Sequence, residues 1–116
     1  MKLLYICAPV DVFDDHPYRR QQKVRSNVAK INEACLLVNK LRSKWLPLAP
    51  HVQFAEWLFD PRYTGHAIPR ADELLRRCNG VLLLPGWEYD AQCAGELRIA
   101  GDMKIPVYNG IGELPE

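Results

Sequence analysis

Two short stretches, residues 3–7 (LLYIC) and 81–84 (VLLL), are apolar without interruption. A strand with one wet face alternates apolar and polar side chains. A continuous run needs cover on both faces, which a parallel sheet flanked by helices provides. Asn79 and Gly80 break the preceding segment and release the second run. These two stretches predict the centre of a buried sheet, and everything else in the chain must be arranged to cover it.

Two further strands are expected at 45–49 (WLPLA) and 105–108 (IPVY). Pro47 and Pro106 have no amide to donate to a ladder, so both strands belong at edges. Residues 9–20 read as a polar, proline-bounded loop. A helix is expected from about Ser26 to Leu41, capped by Ser26 or Asn27, with Val28, Ile31, Cys35 and Val38 turned inward and Lys30, Glu33 and Lys40 wet. The mixed stretch 50–65 is anchored by Phe54, Trp57, Phe59 and Tyr63, with a short helix expected over 51–58. Pro69 suits the first turn of another helix reaching Cys78, and a last helix occupies 91–103. The order β–α–β–(α)–α–β–α–β predicts an α/β fold: a small flavodoxin-like or Rossmann-like three-layer sandwich with a mainly parallel sheet of four or five strands. With 116 residues, it is expected to be a single domain over 1–116.

The formal net charge of +1 gives no general attraction to polymeric nucleic acid or to an anionic membrane. No segment reaches transmembrane length. The opening MKLLYICA is too short for a leader and is soon followed by Asp11, Asp14 and Asp15, so a cytoplasmic protein is expected. Cys7, Cys35, Cys78 and Cys93 are widely spaced, without a Cys-x-x-Cys pair, and each suits apolar packing. His16, His51 and His66 add no metal signature. No metal and no cofactor are expected. A dinucleotide-binding redox enzyme is disfavoured because no Gly-x-Gly-x-x-Gly follows the first strand. A chain this short leaves little room for a second substrate-binding domain, so a homodimer or higher homo-oligomer is expected to finish a cleft.

Glu96 stands out within the last helix. At about 100° per residue, Gly95, Arg98 and Asp102 share the outer face, while Glu96 points inward among Gln92, Ile99, Ala100 and Met103. An unpaired charge is expensive to bury, so this carboxylate must be paired, protonated or placed for use. Parallel α/β folds bind ligands beyond the carboxyl ends of their strands. The loop after Cys7, the region after Ala49 and the turn over 85–90 are expected to converge there.

The stretches 5–9 (YICAP), 82–90 (LLLPGWEYD) and 94–96 (AGE) together resemble the nucleoside 2-deoxyribosyltransferase superfamily, which includes small deoxynucleoside monophosphate N-hydrolases and short phage or bacterial members. The resemblance covers nearly the whole chain, unevenly. It implies Glu96 as nucleophile on the anomeric carbon, Tyr5 as the residue orienting it, Asp90 on the sugar hydroxyls and Asp72 assisting the departing base. This chain departs from the family at Ala8-Pro9, where a small-Gly pair is usual, and in 91–95, which keeps only Gly95. Family transferases also use residues from a longer C-terminal region, so hydrolysis or a degenerate pocket is expected ahead of transfer.

Each residue also has a plainer explanation. Tyr5 can be a core aromatic, and Asp72 a first-turn acid favoured by the helix dipole. Asp90 can be a helix cap. Glu73 suits an ion pair with Arg77, and Glu88 a solvent-facing or a substrate-selectivity position. Arg19, Arg20, Lys23 or Arg25 can meet a 5′-phosphate near a helix start at Ser26, with Asn27 facing the pocket, or form a solvated basic segment. His51 is a rim candidate for contact with a base, or a surface histidine; Trp87 is a ligand candidate in the rim loop, or covers the core or serves an interface. The leading expectation is an N-glycosidase acting on a nucleoside or (deoxy)nucleoside monophosphate. The alternative is a non-catalytic, regulatory binder of a nucleotide-like ligand. Deoxyribosyl transfer between bases is a third reading.

Overall fold

The computed structural model describes residues 1–55, 57 and 60–116, with only the backbone of residues 53 and 64. Four parallel strands form one sheet: β1 (Lys2–Cys7), β2 (Trp45–Leu48), β3 (Gly80–Leu83) and β4 (Val107–Tyr108), in the spatial order β2-β1-β3-β4. The helices are α1 (Pro17–Leu41), α2 (Pro50–Phe54), α3 (Thr64–Leu75) and α4 (Ala91–Asp102), with 3₁₀ turns at Trp87–Tyr89 and Ile111–Glu113. This is the three-layer α/β sandwich expected, with four strands, all parallel.

The two uninterrupted apolar runs become β1 and β3, paired in register from Leu4 with Gly80 to Cys7 with Leu83. The proline-bearing strands lie at the edges. Pro47 sits in β2 opposite Leu4, and Pro106 precedes β4, its carbonyl accepting from the Val81 amide. The pleat divides β1 between two cores. Leu4 and Ile6 join Leu82 and Trp45 beneath Val24, Ile31 and Val38 of α1, with Leu114. Tyr5 and Cys7 join Val81 and Leu83 on the opposite face, beneath Leu75 of α3 and Cys93 and Ala100 of α4. A β-carbon on Gly80 would lie 3.1 Å from both the Trp45 and Tyr108 rings, so only glycine lets these aromatics close over the ladder.

Two helices start earlier than their apolar periodicity indicates. α1 begins at Pro17, not at Ser26, so Ser26 and Asn27 are mid-helix residues and the preceding loop ends at His16. Proline at the first helical position has a preset φ and lacks only an amide that would be unpaired anyway. The first turns carry no apolar stripe. They are instead tied to the loop by Arg20 on Asp11 at 2.7 Å and by Arg19 and Lys23 on Asp14 at 3.3 and 2.9 Å. The buried stripe of α1 is Val24, Ile31, Ala34 and Val38, with Val28 and Cys35 only partly covered.

α3 begins at Thr64 and carries Pro69 in its interior. Ala67, Ala71 and Leu75, one turn apart, form its buried edge. α2 takes up residues 51–54 of the helix expected over 51–58; Glu56, Leu58 and Phe59 lie outside the described residues. Phe54, Trp57 and Tyr63 stack in series, with ring centroids 4.7 and 5.7 Å apart. Among the described residues no helix is long and apolar enough to cross a membrane.

Candidate active site

α4 places Glu96 inward. Cys93, Glu96 and Ala100 form its buried face, and Glu96 is 2% exposed. Met103, expected on that face, is exposed because it stands just past the helix end. Asp90 fixes where the helix starts: its carboxylate accepts from the Cys93 amide at 2.9 Å, satisfying one of the donors that every helix start leaves open. Gly86, at φ 96°, makes the turn leading into this segment, and a β-carbon there would lie 3.2 Å from Pro9. The loops after β1 and β3 therefore meet at the strand ends.

The β1 pleat turns Tyr5 and Cys7 towards the same place. The Tyr5 hydroxyl lies 3.4 Å from His51 Nε2 in the first turn of α2, and the two rings meet edge to face. The same Nε2 lies 3.4 Å from Glu96 Oε1. Among the described residues, none donates a hydrogen bond to either Glu96 oxygen. A fully enclosed carboxylate with no donor raises the free energy of the fold. Burial, and then the negative charge of Glu96, push the Tyr5 phenol far above its ordinary value of 10.0, so it remains a neutral donor. The weaker influence of Asp72 acts in the same direction.

Beside His51 is a cavity of about 20 Å³, walled by Ala67, Ala71, Ile68 and Gln92, enough for roughly one water. A groove of about 590 Å³ runs along the outside between α3 and α4, lined by Asp72, Gly95 and Arg98 and again by Ile68 and Gln92. Those two side chains thus line both the groove and the cavity beside His51. The groove is of the size that takes a small-molecule ligand.

The fold brings Tyr5, His51 and Glu96 together and leaves the other expected site residues around or away from them. Asp72 faces the outer groove. It is in the second half of α3, not a first turn, so the helix dipole gives no reason for its charge. Asp90 is engaged as a cap. Trp87 is half-buried against the Cys7–Cys93 side of the core. Arg19 is exposed and paired with Asp14, and Arg25 is an exposed α1 residue. Asn27 donates to the Val10 carbonyl at 3.0 Å and lines a separate groove beneath α1. The expected phosphate site at a helix start near Ser26 is therefore not formed. Glu73 pairs with Arg77 at 3.0 Å, and Glu88 is exposed, as expected.

Two neighbours of Glu96 went unsingled in the sequence. The thiols of Cys7 and Cys93 and a Glu96 oxygen all lie within 4.8 Å of one another. The signal was a period-two step from Tyr5 to Cys7 on the strand and a one-turn step from Cys93 to Glu96 on the helix. Comparison of the chain with protein-family models, curated proteins and solved structures returns no match.

Proposed function

We propose that the chain is an N-glycosidase that cleaves the base–sugar bond of a nucleoside or (deoxy)nucleoside monophosphate, with Glu96 as nucleophile. The observation that carries this reading is the Glu96 carboxylate itself: buried at the carboxyl ends of parallel strands, beside Tyr5 and His51, with both oxygens unsatisfied. Such a group weakens the fold, and a positioned nucleophile is a reason to retain it. The resemblance of residues 5–9, 82–90 and 94–96 to nucleoside 2-deoxyribosyltransferases supports the same assignment.

In this scheme a Glu96 oxygen bonds to C1′ as the C1′–N bond breaks. The base leaves with a proton from Asp72, which faces the groove. Water then attacks C1′, releasing Glu96 and returning a proton to the Asp72 carboxylate. On substrate binding Tyr5, held neutral, turns its hydroxyl from His51 to donate to Glu96 and fixes which oxygen faces the sugar. Because Glu96 is 2% exposed, the side chains that cover it must move for a sugar in the outer groove to reach it.

That enclosure favours a second reading, a binder of nucleotide-like ligands in which Glu96 never meets the sugar. Ribo- and deoxyribonucleosides and their monophosphates, incubated with and without an acceptor base and resolved by product, separate the two. Free base plus sugar supports hydrolysis, and base exchange supports transfer. Saturable binding without turnover assigns the site to binding. Glu96→Ala should lower turnover roughly 10³-fold or more while remaining folded; full turnover in that variant removes Glu96 as nucleophile.

A further inference from the structure

We propose that Cys7, Cys93 and Glu96 form a buried binding site for a zinc ion. Nothing in their spacing along the chain suggests one, since the thiols come from β1 and α4 and lie far apart in sequence. The fold nevertheless gathers two sulfurs and a carboxylate oxygen within 4.8 Å of one another. Around a tetrahedral zinc, with Zn–S near 2.3 Å and Zn–O near 2.1 Å, ligand atoms stand about 3.5–3.8 Å apart. Closing the remaining gap from 4.8 Å needs contraction of at most about 1.3 Å.

A second observation points to a ligand independently of the thiols. Both Glu96 oxygens are buried without a hydrogen-bond partner, and the side chain faces the two sulfurs. The Cys7 thiol makes a 4.0 Å contact with the Cys93 carbonyl and lies against the Cys93 thiol. The costly Glu96 carboxylate and two thiols held only by weak sulfur contacts each gain a bond from one dication. Two sulfurs with one carboxylate suit a borderline-soft ion and disfavour magnesium or calcium, which take oxygen ligands. Binding converts both thiols to thiolates and releases two protons, so the zinc-bound cluster carries one net negative charge. The fourth position falls to water or to His51, whose Nε2 is 3.4 Å from Glu96 Oε1. Loading accompanies folding or local opening, because Cys7 and Cys93 have no exposed surface.

The site does not depend on the glycosidase reading. A zinc ion here engages Glu96 as a ligand, so it suppresses any turnover that uses Glu96 as nucleophile. Metal content is read without any substrate, which keeps the two proposals separately testable. Protein is unfolded in chelator, refolded with and without zinc chloride, desalted and analysed for metal per chain. One zinc per folded chain is expected, with affinity at least tenfold weaker in Cys7→Ser and Cys93→Ser and unchanged in Cys35→Ser and Cys78→Ser. Refolding with cobalt(II) should give thiolate-to-metal charge-transfer absorption. If the serine variants fail to fold, alkylation of the wild type under mild urea decides: zinc should protect Cys7 and Cys93 selectively over Cys35 and Cys78. Failure of the folded wild type to retain zinc overturns the site. So does retention undiminished in folded Cys7→Ser and Cys93→Ser, or equal protection of all four thiols.

Discussion

Replacing Glu96 by methionine should stabilise the metal-free protein. Methionine keeps the length of the side chain and adapts to an irregular apolar site. It removes a carboxylate whose oxygens have no donor and whose surroundings include Tyr5, Cys7, Cys93 and Ala100. Leaving a buried polar group unsatisfied costs about 1–3 kcal/mol, and a charged one more. Against this stands the contact with His51 at 3.4 Å. Were that a full ion pair, removing one member would cost about 3–5 kcal/mol. Two features make the first effect the larger. The contact forms no hydrogen bond, and His51 keeps its approach to the Tyr5 hydroxyl after the substitution. The expected net gain is about 1–3 kcal/mol. Urea unfolding in the presence of chelator measures it. With a slope near 2 kcal/mol per molar, the midpoint should rise by about 1 M at unchanged slope. A midpoint that falls by a similar amount would show that Glu96 and His51 hold each other favourably, and the argument from an unsatisfied carboxylate would be wrong.

Alkaline pH should weaken the fold. Burial pushes Cys78 up to about 11; contact with the Cys7 thiol, then burial, push Cys93 higher; and Tyr5 is raised by burial and by Glu96. Folded values above unfolded ones mean stability is intact at low pH and is lost above the unfolded values, by about 1.4 kcal/mol per pH unit for each group. Tyr5→Phe should remove the share of that slope that sets in above about pH 10; an unchanged slope there would contradict the enclosure of this phenol. Asp90→Ala should cost about 1 kcal/mol, seen as a fall of several degrees in Tm, with Asp90→Asn recovering most of it. A neutral effect of Asp90→Ala would remove the cap as the reason for an aspartate there.

The parts of the fold legible in the sequence are those where one interaction decides the outcome. Uninterrupted apolar runs specify β1 and β3, and a missing amide sends Pro47 and Pro106 to the margins. The start of α1 was hidden because residues 17–23 are held by charge pairs with Asp11 and Asp14, which leave no apolar period. The start of α3 was hidden because Pro69 suits a first turn, whereas Ala67 and Ala71 are small enough to draw the helix in from Thr64. In the site, helix periodicity alone turns Glu96 inward. The approach of His51, and the meeting of Cys7 with Cys93, depend on how α2 and α4 settle on the sheet, which no local pattern encodes.

The central place of β1 has a consequence for how the chain reaches its fold. β1 pairs on both sides, with β2 and with β3, yet it precedes both in the sequence. During synthesis at about 5–20 residues per second, β1 waits roughly 2–8 s for β2 and about as long again for β3. Through that interval its two apolar faces and both backbone edges have no native partner, apart from what α1 covers as it forms. The charge pairs that anchor the start of α1 lie within residues 11–23, so they can form long before β2 is made. An early α1 lying across Leu4 and Ile6 is then the nascent chain's own shield against misassociation.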